Sequence, residues 1–255
     1  MIDRMISTEA TIEKVNALEK AVNERGIYTR RPDMYPFDTV AGEIIAKAFN
    51  LTRSALLLVQ SGHSDEAFGL CRSLYECAMY LRHITRDLEK RDKLSILFLE
   101  FGVKSKSFWF DLLNKNPDLS DESRIDIVRY KQEHQIPDDP KVIFQPWSGT
   151  SKLIEKISQA PHPLDPDDSS EDLRNKQRAL AYTDTSCYVH CTQPGLNSYQ
   201  HACREPIRTA SHMPSTDTAF KSCLLIQVYL PEITNYCLYG MGLIASNQLG
   251  FDTEP

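Results

Sequence analysis

Residues 66–84 read EAFGLCRSLYECAMYLRHI, and this stretch decides the fold. Ala67 is set at zero on a helical wheel of about 100° per residue. Leu70, Cys71, Leu74, Ala78 and Leu81 then fall within about 60° of it, and Phe68, Cys77, Met79, Tyr80 and Ile84 cover much of the remainder. A helix apolar on nearly all sides belongs in a core. Arg72, Glu76 and His83 interrupt it together, on one side of the wheel. Arg72 and Glu76 stand four apart, close enough to touch. Charges on a buried helix need partners. Two readings follow: a structural network that ties neighbouring helices together, or a cleft in which the pair meets a ligand or a histidine.

Upstream, Gly62 supplies the positive φ that ends a helix, and Ser64-Asp65-Glu66 offers a cap and first-turn acids for the next one. The helix before that turn is expected from Asp38 or Thr39 to about Gln60, burying Ile44, Ile45, Ala48, Ala55, Leu58 and Val59. Two long helices across so short a turn should be antiparallel neighbours. Ile12, Val15, Leu18 and Val22 mark a first helix after Ser7 and Thr8, closed by Gly26.

Downstream, helical periodicity continues. A helix is expected over 90–114, with Leu94, Leu97, Phe98, Phe101, Phe108 and Leu112 on one stripe. Shorter helices follow from Ser120 to about Gln135 and from Ser151 to about Gln159. A further helix runs from about Glu171 to Cys191, and the last from about Asp217 to Asn247, with Pro231 as a potential kink. The Pro- and Asp-rich segment near 160–171 reads as a mobile loop. VIF at 142–144 is the sole strand candidate, too short to build a sheet. The expected fold is all-α: a bundle of about six or seven helices around a long central buried helix, with residues 1–255 as one domain.

The 255 residues are 41% hydrophobic and 25% charged, the profile of a globular chain rather than a disordered or collagen-like one. Lys and Arg number 29 against 35 Asp and Glu, a net charge of −6. That sign excludes an indiscriminate binder of nucleic acid held by bulk phosphate neutralisation. It leaves room for a small local contact at Arg82, His83, Arg86, Lys90, Arg91 and Lys93. Asp87, Glu89 and Asp92 interleave with those bases and favour a salt-bridged surface, so RNA is a weak partner candidate. The N-terminus shows no secretory h-region, which points to a cytoplasmic chain with free, mostly buried thiols. The apolar stretch 223–245 contains Gln227, Pro231, Glu232 and Asn235, so a buried helix is expected there and not a membrane span.

In LAYTDTSCYVHCTQ, Tyr182, Ser186 and His190 are four apart and would share one face of an α-helix. The imidazole is the group in this ladder suited to proton transfer or anion contact near neutral pH; its bland alternative is a bond to its own helix-end carbonyls. Cys187 and Cys191, with His201 and Cys203 soon after, hold soft ligands at zinc-like density, but their spacing fits no standard zinc frame. Glycine-rich phosphate loops and the common metalloprotease, esterase and calcium motifs are missing from the sequence. No metal or cofactor is therefore expected.

The ordered segments resemble an uncharacterised family of bacterial all-helical proteins of unknown function. The matching elements are Gly62, Glu66-Ala67 and the R-S-L-x-E core Arg72-Ser73-Leu74-Tyr75-Glu76. They continue with the W-x-G-x-S element Trp147-Ser148-Gly149-Thr150-Ser151 and the Y-x3-S-x3-H element Tyr182, Ser186 and His190. The late helix also loosely resembles the HEPN class of helical bundles, which includes RNA-cleaving toxins and defence proteins. Those pair an Arg with a nearby His; here Ser186 stands near where that Arg would be, and a literal match lies instead at Arg129 and His134.

The resulting expectation is a polar centre of Arg72, Glu76 and His190 walled by Trp147 and Tyr182, with Ser186 on the same ladder. It would serve a binding or regulatory module with an unknown ligand or protein partner, homo-oligomers being left open. The stress- or phage-defence setting comes from the HEPN resemblance alone. The alternative is a metal-independent ribonuclease using His190 or His134 as general acid/base.

Overall fold

The computed structural model describes residues 6–26, 36–99, 120–133, 154, 156–158, 160, 171–189 and 216–244. These are helical or in turns, and no strand occurs among them. The protein is all-α. The 142–144 segment and the 160–171 loop, apart from residues 160 and 171, lie outside the described residues.

Helix α1 spans Thr8–Glu24. Ser7 caps it, its Oγ accepting from the Ala10 amide at 3.1 Å. Val15, Leu18 and Val22 are buried as the spacing predicts. Gly26 takes φ +65° at its end. Helix α2 spans Pro36–Gln60 and starts a little before the expected Asp38. Proline is at home in a first helical turn, where its missing amide hydrogen has no partner to lose.

The turn into α3 is closed by Gly62, at φ +83°. The His63 amide donates to Leu58 O at 2.8 Å, and the Gly62 amide donates to Val59 O at 3.1 Å. These two bonds satisfy carbonyls that the helix end would otherwise strand. Helix α3 spans Ser64–Thr85. Ser64 is not its cap, as the sequence suggested. The cap position falls to His63, which makes no capping side-chain bond. Asp65 and Glu66 do occupy the first turn. Buried Asp65 accepts from Thr218 Oγ1 at 2.7 Å.

Residues 91–99 form a further helical stretch, the described part of the expected 90–114 helix. Helix α4 spans Asp121–Glu133, with the Ser120 Oγ accepting from the Ser123 amide at 3.2 Å. Helix α5, Glu171–Arg178, runs directly into a π-helical turn at Ala179–Asp184 and then into α6, Thr185–Val189. The expected uninterrupted α-helix is thus broken by one wider turn, a feature that regular apolar spacing does not encode.

Helix α7 spans Thr216–Gly240 and contains Pro231. It ends earlier than the expected Asn247. Gly242, at φ +72°, closes it as Gly62 closes α2: the Leu243 amide reaches Leu238 O at 2.9 Å and the Gly242 amide reaches Tyr239 O at 3.0 Å. Gly240 lies against Phe37, where a Cβ would overlap the ring. No helix among the described residues is long and apolar enough to cross a membrane.

The centre of the bundle is α3, packed chiefly on α7 and α2. Phe68, Cys71, Leu74, Cys77, Leu81 and Ile84 on α3 meet a core that includes Ile45, Phe49, Ile226, Leu230, Ile233 and Tyr236. Each fully buried side chain of this size contributes about 1.5–3 kcal/mol. The same packing fixes the rotation of α3, and so fixes where its polar seam emerges.

Candidate functional site

The α3 seam emerges opposite the π turn. Arg72 Nε donates to Glu76 Oε1 at 3.1 Å, the i,i+4 contact that the spacing predicts. Arg72 Nη2 donates to the Tyr182 hydroxyl at 3.1 Å, and the guanidinium carbon lies 4.6 Å from the centre of the same ring. A cation over an aromatic face is attracted by the ring quadrupole, while the hydroxyl bond fixes the guanidinium's orientation. Arg72 and Glu76 keep 17% and 23% of their side-chain surface exposed. The pair is therefore oriented but not sealed.

Tyr182 lies within the π turn, and Tyr75 of α3 packs beside it with ring centres 6.3 Å apart. Tyr75 also meets Tyr229 of α7 edge-on at 5.1 Å. The aromatic row thus runs from the Arg72 contact into the interior. Burial pushes the Tyr75 phenol up to about 12, with a Ser158 hydrogen bond pulling down and Glu232 pushing up; Arg82 and Arg178 pull down more weakly. Tyr229 is raised well above the ordinary phenol value by burial, with Glu232 and Tyr75 adding to the rise.

The predicted hydroxyl ladder takes a different form. The Ser186 hydroxyl donates back to the Tyr182 carbonyl, while the Tyr182 hydroxyl meets Arg72. Tyr182 and Ser186 are therefore linked through backbone, and only the tyrosine joins α3. His190 and Trp147 lie outside the described residues, as do His134, Cys191, His201 and Cys203. His83, on the same side of the wheel as Arg72, stands eleven positions further along α3, about 16 Å of helical rise. Burial holds its imidazole below the ordinary value, and Arg86 and Lys156 push it further down.

The basic run 82–93 does not form one continuous surface. Arg82 turns inward and donates to Ala160 O. Lys90 pairs with Asp87 and Arg91 with Asp92, as the interleaved acids suggested, and Arg91 also donates to Gly240 O. Among the described residues no cluster of three metal-type ligands occurs, and Cys187 Sγ donates to Thr183 O at 3.5 Å. Cys71, Cys77, Cys223 and Cys237 are free and buried. Burial raises all four thiols, Cys77 to about 11.

Sequence reasoning gives no site role to Tyr75, Ser158, Arg178 or Glu232, and places Arg82 on a basic surface run rather than in the interior. Two of them carried a usable signal. On the α3 wheel Arg82 falls at about 60° and Tyr75 at about 80°, inside or beside the apolar arc. A guanidinium on a core face is itself a marker of a buried polar group.

The chain belongs to the family of unknown function DUF5677, whose profile matches residues 38–205, more than half of its length. The matched region contains α2 from Asp38 onward, α3, the π turn and every residue of the Arg72 contact. No curated protein and no solved structure matches the chain.

Proposed function

We propose that this member of the DUF5677 family is a binding or regulatory module whose ligand meets Arg72, Glu76 and Tyr182. The observation that carries the reading is the partial exposure of an oriented charge pair. Arg72 is held by Glu76 and by a tyrosine more than a hundred positions away, yet the pair retains surface. A charge pair fixed by a neighbouring element yet still reachable can meet a ligand without first being uncovered. The π turn supports the same reading, since such turns recur at functional sites. Within this proposal Trp147 is a wall and His190 a proton-transfer or anion contact, with Ser186 beside them. Residues 1–255 act as one helical domain, in a cytoplasmic stress- or defence-linked setting.

The test is a ligand-induced melting shift against a panel of nucleotides and acidic metabolites. The wild type should show a saturable upshift. Tyr182→Phe and Glu76→Gln should remain folded and lose it. An upshift unchanged in both variants, or no upshift with any compound, contradicts the reading. The ribonuclease alternative is separated by incubating the protein with total RNA. Cleavage abolished by His190→Ala or His134→Ala would replace the binding reading, and intact RNA removes that alternative.

A further inference from the structure

Arg82 is the most deeply buried cation among the described residues: only 6% of the residue is exposed. Its Nη2 donates to the Ala160 carbonyl, but its Nε is buried without a hydrogen-bond partner. No carboxylate pairs with it among the described residues. A guanidinium in that state is costly, because desolvation is not repaid by an opposite charge.

Other bases gather around the same end of α3. His83 and Arg86 follow Arg82 directly, and Lys156 acts on His83 from the 156–158 helical turn. Arg178, half-buried on α5, acts on Tyr75 together with Arg82. Tyr75 lies two helical turns before Arg82 on the same face, and Ser158 is hydrogen-bonded to it. On Tyr75 the acid Glu232 is set against two bases, Arg82 and Arg178. Arg86 and Lys156 are exposed, and Arg82 is buried.

We propose that this end of α3 receives the phosphate group of a small ligand, with Arg82 as its inner contact and Arg178 and Lys156 as outer ones. The planar guanidinium presents donors in the geometry a phosphate accepts, and a buried Arg gains most from such a partner. A compact terminal phosphate needs a smaller opening to reach a nearly sealed side chain than a polynucleotide backbone running over the surface does. The site is about 15 Å along α3 from Arg72 and does not depend on the role given to that residue.

Inorganic phosphate is the first probe, compared with chloride at matched ionic strength. Phosphate should raise the melting temperature saturably. It should also raise the His83 titration midpoint followed by NMR, because a nearby anion favours the imidazolium. Arg82→Gln should weaken phosphate binding roughly tenfold or more, the usual consequence of losing a charge-assisted bond. Should Arg82→Gln fail to fold, exposed Lys156→Gln and the wild-type His83 titration decide: a weaker affinity and an upward shift support the site. AMP acting where adenosine does not would identify a phosphomonoester source. Phosphate indistinguishable from chloride overturns the proposal. So does an RNA lacking a terminal phosphate that moves His83 when phosphate does not.

Discussion

Helix α3 carries two arginines ten positions apart that have been treated differently by the fold. Arg72 lies on the polar side of the wheel, keeps some surface, and is held by a carboxylate, a hydroxyl and an aromatic face. Arg82 lies on the apolar side, is nearly sealed, and among the described residues has one partner, a backbone carbonyl. Arg72 contributes to the folded state through its partners. Arg82 is carried at a cost that a bound anion would offset. One helix thus holds a satisfied charge and an unsatisfied one, and removing the two should have opposite consequences.

The largest effect is expected from Arg72→Met. Glu76 would lose its partner and the Tyr182 hydroxyl its donor, so urea unfolding should show a loss of about 2–4 kcal/mol. Arg82→Met should move the other way by about 1–3 kcal/mol in phosphate-free buffer, since an apolar chain of similar length removes an unpaired buried charge. A loss of stability there would erase the contrast between the two arginines. Tyr182→Phe keeps the ring under Arg72 and deletes one hydrogen bond, so it should cost about 0.5–1.5 kcal/mol.

The smallest effect concerns pH. The folded His83 imidazole titrates below its ordinary value of 6.5 because it is partly buried beside Arg86 and Lys156. Between the folded and unfolded values the unfolded chain binds more protons, so stability rises with pH and falls as pH drops below about 6.5. His83→Gln should flatten the unfolding midpoint between pH 6.5 and the lower folded value. An unchanged slope would show that His83 does not sense the cationic end of α3.

The two arginines also show what a sequence discloses. The Arg72–Glu76 contact was legible because i,i+4 spacing on a helix is a local rule. The central placement of α3 was legible from its apolar circumference, and the Gly62 turn from glycine at a helix end. Gly242 carried the same signal, but the apolar run beyond it drew the expected helix on to Asn247. Arg82 belongs by its sequence neighbours to a basic run, although its wheel angle places it among core residues. The partner of Arg72 on the distant π turn was not legible, because Tyr182 reaches it through tertiary packing and a change of helical pitch. Spacing alone had put that hydroxyl on a ladder with Ser186, whose own hydroxyl turned out to bond to the Tyr182 carbonyl.

The most direct measurement is the unfolding free energy of wild type, Arg72→Met and Arg82→Met, each with and without phosphate. The account predicts that Arg72→Met is destabilised and keeps the phosphate-induced gain, while Arg82→Met is stabilised without phosphate and loses that gain. Equal destabilisation of both variants, with phosphate affecting neither them nor the wild type, would contradict it.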